Sequence, residues 1–468
     1  RADGTGGSLI QNGLSLPRAA GGPEGSAFLP GLSHGSVPLG HEEDEMALHK
    51  MVIRGGRPLE GSVEISGSKN AALPLVCSAL LTGDEMTFHR IPVLGDIRTI
   101  KQLLLQLGAQ IDDFVPGTLR IKARELTDHT APYELVKTMR ASVLALGPLM
   151  AREGRAEVSL PGGCAIGARP IDQHLKGLEA MGASIELSGG YVKAKVDRLK
   201  GAEVVFDLVT VTGTENLMMA ASLAKGTTVL RNCAVEPEVQ ELAHVINRMG
   251  GSVSGAGTDT IVIEGRDRLS GIVHEVMADR IEAGTFLVAG AITRGDVTVC
   301  RCEPAHLTAL LEKLEEAGLK LEIGDRQVRI ASNGRVRSRD VSTDPYPGFA
   351  TDLQAQYMAL MALGDSRSRI TENVFENRFM HVQELVRMGA KIRVSVQTAT
   401  VEGVKKLSGA HVQATDLRAS ACLVLAGLAA EGTTEVHRVY HLDRGYERLE
   451  QKLLQLGADI RREKDDIL

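Results

Sequence analysis

The sequence contains no tryptophan and only 3% aromatic residues, so it offers no array of rings on which bases could stack. Its net charge of −6 excludes the broad basic surface that nucleic acid or an anionic membrane demands. No apolar run reaches the roughly 18–20 residues of a membrane span. The six cysteines, Cys77, Cys164, Cys233, Cys300, Cys302 and Cys422, show no CxxC or Cys/His metal spacing and are too sparse for a disulfide framework. A reducing, cytoplasmic compartment and a chain without a metal are therefore expected. No GxxxxGK[ST] or GxGxxG loop is present, which excludes the common nucleotide-hydrolysis and dinucleotide signatures, and no Ser/His/Asp signature stands out.

At 468 residues the chain exceeds one ordinary core, and two domains are expected. Residues 1–50 are rich in Gly, Pro and Ser and lack both hydrophobic period and signal-peptide pattern. They read as a disordered tag or linker, with the native start at Met46 or Met51.

From residue 51 the chain repeats itself. A small-residue helix ends at Gly83, Gly154, Gly226, Gly295, Gly364 and Gly432, at spacings of 71, 72, 69, 69 and 68 residues. A second helix ends at Gly108, Gly182, Gly250, Gly318, Gly389 and Gly457, at spacings of 74, 68, 68, 71 and 68. Glycine suits the left-handed position that stops a helix. The first helices are apolar on most sides, hence buried, while strands such as TIVIEG and QVRIAS alternate, as sheets with one solvated face do. The expected fold is α/β, with two domains of three repeated units, helices inside and sheets outside.

The loop PGGCAIGARP places Cys164 among glycines with Arg169 close behind, a setting that favours thiolate. The plainer reading is a glycine-rich turn with a small buried thiol. SGSKNAALPL puts Lys69 and Asn70 just before a helix whose Pro74 suits an early helical position, and helix-start amides with a lysine make an anion site. KTMRAS and TDLRAS place Arg140 and Arg418 at the mouths of apolar helices, the second with Asp416. VFENRFMHV brings Arg378, and HLDRGYERLE brings Arg444. Arginine suits planar capture of carboxylate and phosphate. In PGFATDLQAQ, Asp352 starts a buried helix, either as an N-cap or as a carboxylate that accepts a substrate proton. A thiol, a carboxylate and several cations suit acid–base chemistry on an anionic small molecule.

Taken together, SGSKNAALPL, MRAS, PGGCAIGARPIDQH, TVTGTEN, FATDLQAQ, VFENRFMHV, TDLRAS and YHLDRGYER resemble, in order over residues 51–465, the motif set of the bacterial UDP-N-acetylglucosamine enolpyruvyl transferases of the EPSP synthase superfamily. The resemblance implies a two-domain inside-out α/β barrel with the active site in the interdomain cleft. Residues 51–69 and 280–468 would form one lobe and 70–279 the other. The implied reaction moves the enolpyruvyl group of phosphoenolpyruvate onto the 3′-hydroxyl of UDP-N-acetylglucosamine, without cofactor. Cys164 would protonate C3 of phosphoenolpyruvate and Asp352 would deprotonate the sugar hydroxyl. Lys69, Arg140, Arg169 and Arg444 would surround phosphate and carboxylate, with Arg378, Arg418 and Asp416 nearby. The nucleotide-sugar would rest on Asn70, on Arg169, Pro170, Ile171, Asp172 and Gln173, on Leu208, Val209, Thr210, Val211 and Thr212, and on Asp352 and Val374. LVTVT at 208–212 departs from members that carry a lysine and Ser-Val-Gly there. Rival readings are transfer to shikimate 3-phosphate, discriminated by the PGGC loop, a non-catalytic nucleotide-sugar-binding regulator, and a thiol hydrolase using His174.

Overall fold

The computed structural model describes residues 49–137, 139–160, 171–332 and 334–465. The leader reading, for residues 1–48, and the whole PGGCAIGARP loop, with Cys164, Arg169 and Pro170, lie outside the described residues.

Six helices made mostly of Ala, Leu, Val, Met and Gly are buried around most of their circumference. Lys69–Ser78, Leu146–Glu153 and Val211–Ala221 belong to one apolar cluster; Arg280–Ile292, Gln354–Ala362 and Leu417–Ala429 belong to a second. Small residues let these helices approach closely. A Cβ added at Gly147 would stand 2.2 Å from Asn216 Oδ1. Outer helices such as Gly95–Gln106 and Pro237–Arg248 bury only one face.

Among the described residues, six four-stranded sheets with one repeated topology lie around the helices. An edge strand runs parallel to its neighbour, which pairs antiparallel with the third strand, itself antiparallel to the fourth. Thr130–Ala131, Arg155–Ser159, Tyr191–Lys195 and Ser184–Ser188 illustrate it, with Ser159 opposite Tyr191. Alternation is clean in Thr260–Glu264, where Ile261 and Ile263 are buried.

The chain's path follows from the pairing. His49–Arg54 lies between Thr433–His437 and Asp459–Lys464, and Glu60–Glu64 runs beside Asp296–Cys300. Val273–Glu275 returns to pair with Glu85–His89. Buried side chains up to Ile65 and from Ala278 onward form one core, and those from Ala71 to Val276 form the other. Both lie in one compact unit, Asp44–Leu468.

The glycine expectation holds for all six second-helix ends, each at φ between 85° and 103°. Among first-helix ends it holds only at Gly154, which ends Leu146–Glu153 at φ 66°; Gly226 and Gly432 also take positive φ (96° and 95°), but their helices stop earlier, at Ser222 and Ala430. At Gly295 the preceding Arg294 takes the left-handed turn (φ 57°), and glycine serves close approach instead, since a Cβ would meet Leu59 O at 2.1 Å. A second expectation is corrected at Pro74. The helix begins at Lys69, because the Ser68 side chain caps it by accepting from Ala71 N, so Pro74 is its sixth residue. Proline has no N–H to donate there to the carbonyl of Asn70.

The two chain crossings between the cores run side by side. Gly67 pairs with Ala278, Ser68 N donates to Met277 O at 2.7 Å, and Asp279 N donates to Ser66 O at 3.0 Å. Beneath them, buried Glu282 accepts from Ser66 N at 2.7 Å and from Lys452 Nζ at 2.6 Å. Burial pushes its carboxyl up to about 7 from an ordinary 4.5, more than Lys452 pulls it down. A raised carboxyl holds its proton in the folded state where the unfolded chain has lost it. Its stabilisation is therefore full below 4.5 and disappears as pH rises through about 7. In Glu282→Gln, the loss of stability between pH 5 and pH 8 should shrink by about 3 kcal/mol, the shift converted at about 1.4 kcal/mol per unit. Urea unfolding at both pH values measures it, and an unchanged difference would refute the assignment.

Candidate active site

Four elements deliver charge to one region. Lys69 opens its helix with its backbone N–H on Asp279 Oδ2 (3.1 Å), and sends Nζ to Asp96 Oδ2 (3.1 Å). Arg444, at the end of the short helix Val439–Arg444, gives Nε to Asp96 Oδ1 (2.9 Å). One buried carboxylate therefore ties a lysine at the crossing between the cores to an arginine 375 positions along the chain. Asp96 lies in the first turn of Gly95–Gln106, where a helix dipole favours negative charge. Burial alone would raise its carboxyl. The Lys69 and Arg444 cations outweigh that and hold it below the usual range. The sequence reading missed Asp96, and its only local sign was an acid in a helix's first turn.

Asp352 sits in the turn Thr351–Leu353 that precedes Gln354–Ala362. The N-cap alternative fails: no capping bond forms there. Instead Oδ1 accepts from Arg378 Nη2 (2.9 Å) and Oδ2 from Arg418 Nη2 (2.7 Å). Burial would raise this carboxyl too, but Arg418, Arg378 and, after them, Lys69 hold it well below the usual range. Both arginines are nearly inaccessible, at 4% and 3% exposure, and each keeps an Nη1 without a partner among the described residues. Their faces rest on rings, Arg378 on Phe375 and Arg418 on Tyr446. Asp416 takes the capping role, accepting from Arg418 N (2.9 Å) and Ala419 N (3.1 Å), and so aims the start of the Arg418 helix.

Glu372, also missed, organises the neighbouring loop. It accepts from Thr351 Oγ1 beside Asp352 and from the backbone N–H of Val374 and Phe375. Buried His381 stays neutral, its pKa lowered to about 4 by burial beside Arg378, with Asp416 opposing.

A second group forms within the other core. Arg140 opens the short helix Arg140–Ala145, and its charge adds to burial in lowering His174 to about 3. That imidazole is held between Asn216 Nδ2 on Nδ1 (2.8 Å) and Thr212 Oγ1 on Nε2 (3.3 Å). A neutral, hydrogen-bonded core histidine is the result. Asn216 also donates to Val143 O and accepts from Gly147 N, joining the inner helices. Ile171 precedes the helix Asp172–Ala180. Gln173 clamps Asp207 through Nε2 (3.1 Å) and Oε1 (2.9 Å), just ahead of Leu208, and also reaches Asp172. Leu208 and Val209 are 70% and 41% exposed; Thr210 caps Val211–Ala221 through Gly213 N. Asn70 is half-buried on the helix of Lys69.

Two helical cores jacketed by six like sheets, joined by cations gathered on buried carboxylates, define an α/β architecture seen in enolpyruvyl transferases. The enolpyruvyl transferase NikO from Streptomyces tendae matches 89% of this chain and 99% of its own, with TM-score 0.80 and 25% identity. An EPSP synthase from Acinetobacter baumannii covers 89% and 100%, with TM-score 0.69 at 18% identity, a likeness of fold alone. Residues 53–453 match the model of EPSP synthase (3-phosphoshikimate 1-carboxyvinyltransferase), and the chain belongs to this family of carboxyvinyl transferases. It is 60% identical over 421 residues to UDP-N-acetylglucosamine 1-carboxyvinyltransferase of Anaeromyxobacter sp. (strain Fw109-5), covering 89% of this chain and all of that one. To the enzyme of that name from Myxococcus xanthus (strain DK1622) it is 58% identical over 419 residues, with the same coverage.

Proposed function

We propose that the chain transfers the enolpyruvyl group of phosphoenolpyruvate to the 3′-hydroxyl of UDP-N-acetylglucosamine, releasing phosphate, as the opening step of peptidoglycan synthesis in the bacterial cytoplasm. The family supports the reaction type, and the 58–60% identical relatives support the nucleotide-sugar over shikimate 3-phosphate. The geometry that carries the reading is the ionised Asp352 between buried Arg378 and Arg418, in electrostatic reach of Lys69. No helix among the described residues is long and apolar enough to cross a membrane.

In this reading, residues 51–69 with 280–468 form one lobe and 70–279 the other, and the cations line the cleft between them. The two separate apolar clusters support that division. Lys69, Arg140, Arg169 and Arg444 receive the anionic groups of phosphoenolpyruvate. The sugar oxygen attacks C2 while Cys164 delivers a proton to C3, and the hydroxyl proton passes to Asp352. Loss of a C3 proton then expels phosphate and restores the enol ether. Asp352 held by two arginines is a weak base. Its basicity rises when a bound anion draws Arg378 or Arg418 toward itself, which couples substrate binding to proton transfer.

The test is phosphate release from phosphoenolpyruvate with UDP-N-acetylglucosamine, run beside shikimate 3-phosphate and a Cys164→Ala variant. Release with the nucleotide-sugar alone, lost in the variant, is expected. Release with shikimate 3-phosphate would overturn the substrate, and no release with either would favour the binding-protein reading. Fosfomycin should add one covalent adduct to the wild type and none to Cys164→Ala, as read by intact-protein mass spectrometry. An unmodified wild type would refute a reactive Cys164.

A further inference from the structure

The sheet that joins the chain's first and last described strands carries a second concentration of chemistry. His411–Gln413 and Thr433–His437 run parallel, with His411 opposite Glu435 and Gln413 opposite His437. Side chains two apart on a strand share a face, so Glu435 and His437 point the same way, and His411 joins them from the adjacent strand. Val436 and Thr434 between and before them are fully buried, which fixes this as the sheet's outer face.

The three groups offer two imidazole nitrogens and a carboxylate, one donor atom each, all within 4.8 Å of one another. His411 Nδ1 stands 3.3 Å from His437 Nε2 and 3.6 Å from Glu435 Oε2. A tetrahedral ion with donors at 2.0–2.1 Å separates them by about 3.4 Å. The rings stack with centroids 5.6 Å apart, at an interplanar angle of 16°. His437 is further fixed from behind. Its Nδ1 lies 2.7 Å from Oδ2 of Asp465, which is itself 2% exposed. A carboxylate on the far nitrogen of a metal-bound histidine orients the ring and raises its donor strength, and it leaves the Nε2 lone pair aimed at His411.

We propose that His411, Glu435 and His437 form a binding site for a borderline divalent transition-metal cation of the zinc, cobalt or nickel type, with Asp465 as the carboxylate that orients His437. Two histidines and one carboxylate are a donor set such ions take, with a fourth position open to water. Lys50 is the competing cation: its Nζ sits 2.5 Å from Glu435 Oε2, and binding displaces it from that oxygen. The bound ion would link strands His411–Gln413 and Thr433–His437 in the sheet where the first described strand, His49–Arg54, is the next neighbour.

Cobalt(II) added to the full chain reports on it through visible d–d absorption. One equivalent giving the bands of a tetrahedral nitrogen–oxygen site is expected. His411→Ala, at a side chain 65% exposed and so without cost to the core, should abolish them. Asp465→Asn should weaken binding by roughly 10- to 100-fold, and Lys50→Met should strengthen it. Three outcomes would overturn the proposal: no bands in the wild type, bands that survive His411→Ala, or an intense near-ultraviolet thiolate band placing the ion on a cysteine.

Discussion

Asp352→Ala should cost the protein about 3–5 kcal/mol of stability, the range for removing one partner of a buried ion pair. The reason lies with the partners. Arg378 and Arg418 are 4% and 3% exposed, each gives one nitrogen to Asp352, and each already has an Nη1 without a partner among the described residues. Deleting the carboxylate leaves two desolvated guanidiniums facing each other. Asp352→Asn keeps the shape and one acceptor, so it should cost less. Because the Asp352 carboxyl is depressed in the folded state, its stabilisation is complete above the ordinary 3.8 and is lost as pH falls through the lower folded value. The gap between wild type and Asp352→Ala should therefore be full at pH 7 and narrow below 3.8. Activity separates the second role. In the proposed mechanism the Asn variant would lack the acceptor for the sugar proton, so kcat should fall by roughly 10²–10⁴ while the fold is kept. Denaturant midpoints at pH 7 and pH 3, with initial rates of phosphate release, measure both. A stable Ala variant would refute the ion-pair account, and an Asn variant of wild-type rate would refute the proton-acceptor role.

The architecture was legible because it rests on composition and period. Six recurrences of glycine at nearly constant spacing announced six units, and helices apolar all round could only be inside. Both signals are local and repeated six times. What the sequence could not reveal is which partner a local motif finds. Asp352 and Asp416 read alike, each an aspartate opening an apolar helix, yet one is an ion-pair hub and the other the cap. The difference is set by Arg378 and Arg418, 26 and 66 positions away. Pro74 misled for a related reason. A proline early in a helix is the common case, but the Ser68 cap fixes the start five residues sooner. His411 and His437 are 26 positions apart with no ligand spacing a motif would detect, and only parallel pairing brings them together.

Asp96 is the extreme of that rule, since its partners lie 27 and 348 positions away. Its removal is the second large effect to expect. With a side chain 5% exposed, the carboxylate holds Lys69 and Arg444, and Asp96→Asn would leave two cations competing for one amide oxygen. The stability cost should again approach about 3 kcal/mol, the low end of the range, because Arg444 is 40% exposed and can turn to water. Catalysis should suffer more. If Lys69 and Arg444 receive phosphoenolpyruvate, losing their common anchor misplaces both, and misplacement on the scale of 1 Å costs about 10²-fold. Asp96 touches no substrate in this account and acts as a positioning residue. The loss should therefore appear in kcat/KM for phosphoenolpyruvate while KM for the nucleotide-sugar stays near its original value. Asp96→Glu, which restores the charge, should recover part of it. In a Lys69→Met background, Asp96→Asn should cost less than it does alone, since one of the two ion pairs is already gone. Equal losses for both substrates, or additivity with Lys69→Met, would mean that Asp96 serves folding and leaves the placement of the cations to other groups.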